Sequence, residues 1–316
     1  MSNDNSRRDS TEGSDLFRGY GHPGYPDALA EFGTPVALSR SGGWFLRRRI
    51  PGSPWSDGIS PYPYLACHDW SSLATDLSAL DDDLVSLTAT PCPFGDYTLD
   101  DLKCAFPDWL VHFKDHFVAD LSIPVARFAS RHHLKLAERS LRGLTVEFTE
   151  HPAQHLDEWV TVFEHTKQRF GISGIRAFSR ESFAKQFALP GVVMSLARRD
   201  GRAIAVHVHV LHGDVAYAHV AAATPEARTL NASYALYLED IRCLSARVRW
   251  IDWGGSAGIG RADSGLTAFK RGWSTETRPA FIGGRILHAK RYRELTRSLS
   301  KDAEQYFPPY RSGEFG

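Results

Sequence analysis

Three apolar segments separated by two short polar turns constrain the fold of this chain more than any other feature. The segments cover residues 192–198, 203–211 and 215–222. Asp200-Gly201, between the first two, is typical of a two-residue β-hairpin turn, and Gly213-Asp214 separates the next two. A helical pattern over residues 231–248 and a short strand over residues 248–253 follow. Three antiparallel strands, a helix and a further strand predict a mixed α+β fold.

The first half of the chain repeats a weaker version of this order, a strand pair followed by a helix and another strand. Predicted strands cover residues 36–39, 44–50, 84–89, part of 113–121, and 144–148; predicted helices cover 68–80, 99–106, 124–142, 154–170 and 180–187. We therefore divide the chain into a disordered arm (residues 1–34), an N-terminal half (35–142), a C-terminal half (143–300) and a tail (301–316). The arm is assigned because it is rich in Ser, Asp, Gly and Pro.

The composition excludes several classes of protein. Lys plus Arg and Asp plus Glu both number 37, so the formal net charge is zero, which argues against bulk electrostatic capture of a nucleic acid. No apolar run approaches the roughly 18 residues of a membrane span, and the first residues lack the apolar core of a secretory signal. The four cysteines show no metal or disulfide spacing. We expect a cytoplasmic protein with reduced thiols.

Two neighbouring segments are the strongest candidates for a functional site. The glycine turn (residues 251–255, Ile-Asp-Trp-Gly-Gly) ends a short strand with an acidic residue and two glycines, which allow a close approach of backbone or ligand. The lysine segment (residues 265–273, Gly-Leu-Thr-Ala-Phe-Lys-Arg-Gly-Trp) is expected to be a loop that carries Lys270 to the edge of a cleft. The alternative is an ordinary turn beside a solvated surface lysine.

Six segments follow one another in a fixed order along the chain. They are Pro61-Tyr62-Pro63-Tyr64, residues 130–137, residues 231–237, the glycine turn, the lysine segment, and Tyr292-Arg293-Glu294-Leu295. This series resembles the Fem-type acyltransferases, the branch of the GNAT superfamily that includes the peptidoglycan interpeptide-bridge aminoacyltransferases. The resemblance implies two GNAT-like halves, each a twisted, mostly antiparallel sheet flanked by helices. The N-terminal half would then be the degenerate copy and the C-terminal half the catalytic one.

The resemblance also implies roles for individual residues. Lys270 corresponds to a lysine associated with donor binding and transfer, where a cation stabilises the developing oxyanion or holds a donor phosphate. Phe269, Gly254 and Gly255 would line the donor side. Tyr234 is a candidate general acid on the central helix, with packing as the alternative. Asp252 is a candidate proton acceptor for the amine, and the alternative is that it only caps the turn.

The expected phosphate-binding loop departs from the usual GNAT pattern. GNAT enzymes open the central helix with a glycine-containing loop that binds the pyrophosphate of coenzyme A. Residues 228–233 align with this loop but contain no glycine, so Arg228, Asn231 and Ser233 are the donor-binding candidates that remain. Asn231 has the alternative role of a helix cap. The Fem resemblance instead implies aminoacyl-tRNA as the co-substrate, with no tightly bound cofactor.

The acceptor side is predicted from four residues. Tyr62 and Tyr64 would lie near the acceptor if the resemblance holds, and His207 and His209 share one face of a strand that borders the cleft. Two histidines at this spacing also suggest a metal site, but no carboxylate or cysteine at ligand spacing accompanies them. We therefore expect no metal.

Our hypothesis is that the protein is an acyltransferase that moves an aminoacyl group from aminoacyl-tRNA to an amine of a cell-wall precursor or a specialised metabolite. One alternative is an N-acyltransferase that uses acyl-CoA and acts on an amino sugar or a small metabolite. Another is a non-catalytic protein that uses the GNAT fold to bind a ligand. The chain has no sustained heptad pattern for a coiled-coil insertion, which weakens the assignment to peptidoglycan specifically.

Overall fold

The structure is a computed structural model that describes residues 18–80, 83–256, 265–300 and 303–314. The strands are β1 (Thr34–Ala37), β2 (Trp44–Arg49), β3 (Ser56–Ile59), β4 (Leu84–Ala89), β5 (Trp109–Asp120), β6 (Thr145–Thr149), β7 (Val192–Arg199), β8 (Arg202–His212), β9 (Val215–Ala223), β10 (Trp250–Asp252) and β11 (Glu276–Ile286). The helices are α1 (Gly24–Ala28), α2 (Leu73–Ser78), α3 (Leu99–Ala105), α4 (Val125–Phe128), α5 (Arg131–Ser140), α6 (Leu156–Phe170), α7 (Arg180–Phe187), α8 (Pro225–Thr229), α9 (Ala232–Leu244), α10 (Gly265–Arg271) and α11 (Ala289–Thr296). The predicted α+β class is confirmed.

The chain forms two compact units, and each unit is assembled from separate stretches. The first unit comprises Met1–Tyr25, His116–Gly171 and Phe183–Thr277, as far as these residues are described. The second comprises Pro26–Asp115, Ile172–Ser182 and Arg278–Gly316, with the same restriction. The units do not follow the predicted boundary between residues 142 and 143. The C-terminal residues join the second unit because β11 pairs with β4.

In the first unit the strand order is β6-β7-β8-β9-β10-β5, to which β5 contributes its residues from His116 onward. All neighbours are antiparallel except β9 and β10, which are parallel. The predicted hairpin is confirmed, since Asp200 and Gly201 both have the positive φ angles, 50° and 78°, that such a turn requires. Helix α9 packs on β7 and β8, and helix α6 packs on β8 and β9.

The second unit has the strand order β1-β2-β3-β4-β11. Its neighbours are antiparallel except for the parallel pair β3 and β4. Each unit therefore contains its own mostly antiparallel set of strands with flanking helices, as the sequence predicted. Among the described residues, no helix has both the length and the apolar character that a membrane span requires.

The predictions for the two terminal segments are partly wrong. Residues 1–17 of the predicted arm lie outside the described residues, but the remainder is ordered, with Tyr20, Tyr25 and Leu29 buried. The described residues of the predicted tail, 303–314, also belong to the second unit. Phe307 is buried there, and the Arg311 guanidinium donates two hydrogen bonds to the buried carboxylate of Asp57, at 2.8 and 2.9 Å. The sequence analysis missed these buried side chains because they are isolated and form no periodic apolar pattern.

Several element boundaries also differ from the prediction. The predicted helix over residues 124–142 is two helices, α4 and α5, because the extended backbone at Ser130 interrupts it and the Ser130 side chain caps α5. The lysine segment is helix α10 rather than a loop. Strands β3 and β11 were not predicted, and β11 contains Pro279 and two glycines, which have low strand propensity.

Candidate active site

The candidate site lies in the first unit, where β10 ends. The parallel ladder between β9 and β10 covers three residue pairs, the last of which joins Asp252 to Tyr217. The chain then turns at Gly254, whose φ of 74° is a left-handed conformation that glycine adopts without strain. The Gly254 N–H donates to Asp252 Oδ1 at 2.7 Å, which closes the turn. The glycine turn is thus fixed by its own acidic residue.

Lys270 lies at this turn. Its ammonium donates a hydrogen bond to the carbonyl of Gly255 at 2.7 Å, and a Cβ atom at Gly254 would lie 3.4 Å from Lys270 Nζ. Lys270 reaches the turn from the last turn of α10 and is partly buried. The structure therefore brings the glycine turn and the lysine segment together, with the cation at the end of β10.

An aromatic cluster packs around Phe269, the residue that precedes Lys270 in α10. Phe269 makes edge-on ring contacts with Tyr234 and Tyr237 of α9, each with a centroid distance of 4.8 Å. Tyr237 in turn stacks on Trp253 at 4.1 Å. The indole of Trp253 donates to the carbonyl of Trp273 at 3.1 Å. Aromatic side chains of α9, α10 and the glycine turn therefore pack against one another as one aromatic cluster.

The two tyrosines of α9 differ in their surroundings. Tyr237 is buried and stacked on Trp253, and its burial raises the pKa of its phenol above the usual range. Tyr234 is only partly buried and contacts Phe269, next to Lys270. Tyr237 therefore contributes to packing, and the role of Tyr234 as a general acid stays a prediction.

His133 of α5 joins the central helix to the lysine segment. Its Nε2 donates to the carbonyl of Phe269 at 3.1 Å, and its Nδ1 hydrogen-bonds the Ser130 hydroxyl. The ring also contacts Tyr234 at a centroid distance of 5.1 Å. Burial lowers the pKa of His133, although the bond to the Phe269 carbonyl opposes this. A Cβ at Gly272 would lie 2.4 Å from the ring, which explains the glycine in this segment.

Asp252 is buried, with 1% of its surface exposed, and its carboxylate is engaged on both oxygens. His116 of β5 places its Nδ1 3.1 and 3.0 Å from the two oxygens, and Gly254 N–H occupies Oδ1 as well. These contacts match the turn-capping alternative. A role for Asp252 as proton acceptor stays a prediction.

The donor-loop candidates lie at the junction of α8 and α9. Asn231 occupies the N-cap position of α9 in a left-handed conformation, with φ 57°, but its side chain makes no capping hydrogen bond, so the alternative role as a side-chain cap is not seen. Asparagine tolerates this conformation better than most residues, which explains its presence. Arg228 is exposed and Ser233 partly buried, and both stay candidates for donor binding.

The four acceptor candidates are divided between the two compact units. Tyr62 and Tyr64 belong to the second unit, where Tyr62 makes an edge-on contact with Phe178 at 5.8 Å and burial raises the pKa of its phenol. His207 and His209 belong to the first unit but are buried against Asp240 of α9. The expectation that these two histidines line a cleft is therefore wrong, because the central helix covers that face of β8.

Sequence reasoning missed four residues that the structure places close to the predicted ones. They are His116, His133, Ser195 and Asp240. Their contacts link residues between 33 and 136 positions apart, so no local pattern reports them. Only His133 lay inside a segment that the resemblance had marked.

Comparison with known proteins agrees with this description. Residues 127–271 match the family model of the acetyltransferase (GNAT) domain. No curated protein sequence matches the chain. A crystal structure of FemX is similar with a TM-score of 0.62 and 15% identity, covering 89% of this chain and 94% of that one.

Two further solved structures resemble the chain over most of its length. The C-terminal domain of a putative lysylphosphatidylglycerol synthetase from Agrobacterium fabrum has a TM-score of 0.58 and 14% identity, covering 84% of this chain and 88% of that one. L-PGS from Bacillus licheniformis has a TM-score of 0.55 and 12% identity, covering 84% of this chain and 92% of that one. Residues 127–271 are thus similar to an acetyltransferase domain of the GNAT type. The fold of the chain is similar to that of FemX, as the ordered segments predicted.

Proposed function

We propose that the protein transfers an aminoacyl group from aminoacyl-tRNA to the amine of an acceptor. The observation that carries this proposal is the position of Lys270, whose ammonium is held 2.7 Å from the Gly255 carbonyl at the end of β10. A cation fixed at the end of a strand, next to a turn with two glycines, is suited to stabilise negative charge on a carbonyl oxygen that approaches the backbone.

The reaction needs no covalent enzyme intermediate. The neutral amine attacks the carbonyl carbon of the aminoacyl ester, and the carbonyl oxygen becomes an oxyanion that the Lys270 ammonium stabilises. The C–O bond of the ester then breaks, the departing tRNA hydroxyl oxygen takes up a proton, and the attacking nitrogen loses one. Tyr234 is the proposed proton donor to the leaving oxygen. The products are an amide and free tRNA.

Two observations support this donor over coenzyme A. The junction that opens α9 contains no glycine, and Asn231 occupies the left-handed position at its start. The name of one similar structure, a putative lysylphosphatidylglycerol synthetase, denotes an aminoacyl product. The acceptor class, a cell-wall precursor or a specialised-metabolite amine, follows only from the Fem resemblance.

A second candidate uses acyl-CoA as the donor. It is favoured by the match of residues 127–271 to a domain named for acetyl transfer. In that case Lys270 keeps its role at the oxyanion, and the leaving group is the thiolate of coenzyme A. The two candidates therefore differ in the donor and not in the electrostatic group.

The test supplies the donors separately. Purified protein is incubated with a labelled mixture of aminoacyl-tRNAs and, in parallel, with labelled acetyl-CoA, each with a small-molecule cell extract as the source of amines. We expect transfer of label from tRNA only, and we expect Lys270→Met to slow it about 10²- to 10³-fold. Arg271→Met removes an exposed neighbouring charge and serves as the matched control. Transfer from acetyl-CoA alone would support the second candidate, and no transfer by folded protein would support a non-catalytic ligand-binding protein.

A further inference from the structure

Three side chains that can bind a metal converge inside the first unit. His207 and His209 project from the same face of β8, and Asp240 of α9 faces them. His207 Nδ1 lies 2.8 Å and His209 Nε2 lies 3.0 Å from the same carboxylate oxygen, Asp240 Oδ2. One nitrogen from each histidine and one carboxylate oxygen thus lie within 4.8 Å of one another.

The cluster is enclosed. His209 and Asp240 are fully buried and His207 is 7% exposed. The other carboxylate oxygen, Oδ1, accepts a hydrogen bond from the hydroxyl of Ser195 on β7 at 2.5 Å. A buried carboxylate is costly unless a cation or strong donors compensate its charge.

Both histidines direct a ring nitrogen at the same carboxylate oxygen. His209 Nε2 lies 3.0 Å from Asp240 Oδ2, whereas its Nδ1 has no hydrogen-bond partner among the described residues. A metal ion between these groups would accept the lone pairs of both ring nitrogens and bind the carboxylate at the same time.

We propose that His207, His209 and Asp240 bind one divalent transition-metal ion of the zinc class. Two imidazoles and one carboxylate suit zinc and its neighbours rather than magnesium or calcium, which prefer oxygen ligands. Two ligands that each lie about 2.1 Å from a tetrahedral ion are roughly 3.4 Å apart, so the two histidine–carboxylate separations of 2.8 and 3.0 Å need to open by about 0.6 and 0.4 Å. Ser195 would orient Asp240 from outside the ligand shell.

The position of the site determines the role of the ion. The ion joins β8 to α9 in the core, and His207 contacts Tyr237 at a centroid distance of 5.2 Å. Tyr237 stacks on Trp253 of the glycine turn. The ion therefore fixes the central helix and, through it, the aromatic cluster behind Lys270. Because the cluster is enclosed, the ion binds as the unit folds.

The test measures metal content and its effect on stability. The full chain is purified without a metal-binding tag, unfolded with a chelator, and refolded with or without Zn²⁺. We expect about one zinc per chain by elemental analysis and an unfolding temperature at least about 5 °C higher with zinc. Asp240→Asn, which keeps the side-chain shape, is expected to lose both effects. His219→Gln, which replaces a buried histidine of β9 outside the cluster, is expected to retain them.

Other outcomes overturn the proposal. Zinc uptake by the wild type that does not exceed the uptake by Asp240→Asn would show adventitious binding or a hydrogen-bond network alone. If Asp240→Asn does not fold, Co²⁺ added to the refolding wild type provides an independent readout. The proposal requires the visible absorption of a four- or five-coordinate cobalt ion, and a spectrum identical to that of aqueous cobalt contradicts it.

Discussion

At the scale of single residues, the site is held by contacts that only particular side chains allow. Gly254 occupies a left-handed conformation beside Lys270, and Gly272 makes room for the ring of His133. Lys270 itself is fixed by the carbonyl of Gly255. The sequence identified Lys270, Gly254 and Gly255 as a group, but the resemblance did not explain Gly272. Its role becomes clear only from the His133 ring that packs against it.

Gly272→Ala is expected to lower the free energy of unfolding by about 1–3 kcal/mol. The new Cβ would lie 2.4 Å from His133 Cε1, so the ring has to move away from the Phe269 carbonyl. Urea unfolding of the purified variant measures the change. Gly143→Ala is the control, since no atom lies within 4 Å of the added Cβ, and its effect is expected to stay within about 0.5 kcal/mol. Equal losses in both variants would contradict the proposed contact.

His219 makes the stability of the first unit dependent on pH. Its ring is buried between Tyr20 and Gln186, and burial lowers the pKa of His219 from 6.5 to about 3. Below pH 6.5 the unfolded state binds a proton that the folded state does not, so stability falls as the pH drops from 6.5 towards 3. One such group contributes up to about 1.4 kcal/mol per pH unit.

Replacing His219 tests this dependence. His219→Gln is expected to give a shallower loss of unfolding free energy between pH 6.5 and pH 4 than the wild type, because no proton is taken up at this position. Urea unfolding at a series of pH values provides the slopes. Parallel slopes for the two proteins would show that His219 is not responsible.

At the scale of elements, the order of strands and helices was largely predictable, and the exceptions have physical reasons. Strands β7 to β9 were found because turn residues separate apolar segments. Strand β11 was not, because it contains two glycines, and the structure shows why they are needed. A Cβ at Gly283 would lie 2.4 Å from Phe106, and one at Gly284 would lie 2.4 Å from Phe307. Packing by aromatic rings therefore overrides strand propensity.

Sequence patterns predicted only part of the candidate site as well. The glycine turn and the lysine segment could be predicted because each is a continuous stretch. The contact between Asp252 and His116, and that between Asp240 and the histidines of β8, join distant parts of the chain. Such pairs are fixed by the sheet order, which periodicity alone does not determine.

The Asp252→Asn variant tests whether Asp252 only holds the turn at the end of β10 or also accepts a proton in the reaction. The amide oxygen still accepts the Gly254 N–H, so we expect the turn to persist, the unfolding free energy to change by less than about 1 kcal/mol, and the transfer rate to fall less than tenfold. A general base contributes about 10²- to 10⁴-fold. A loss of that size with unchanged stability would show that Asp252 accepts a proton in the reaction.

At the scale of the whole molecule, each compact unit depends on segments that are remote in the sequence. The second unit takes β11 and the C-terminal residues to complete the sheet formed by the first strands. Arg311, in the segment predicted to be a tail, pairs with Asp57 of β3, and both are buried. The described residues 303–314 are therefore part of the fold of the second unit.

Arg311→Met is expected to destabilise the protein by about 3–5 kcal/mol. The methionine fills similar space, but it leaves the buried carboxylate of Asp57 without its main partner, with Arg48 Nε 3.5 Å away as the remaining cation. Thermal or urea unfolding measures the loss. The double variant Arg311→Met with Asp57→Asn is expected to recover part of it, and a double variant less stable than the single one would contradict the assignment.

The role of Lys270 as the electrostatic group of acyl transfer is tested most directly by the single-turnover rate with bound donor. For Lys270→Met we expect a rate about 10²- to 10³-fold lower, with donor binding and unfolding free energy nearly unchanged. For Arg271→Met, one residue away and exposed, we expect a rate within about threefold of the wild type. A Lys270→Met protein that transfers at the wild-type rate would contradict the account.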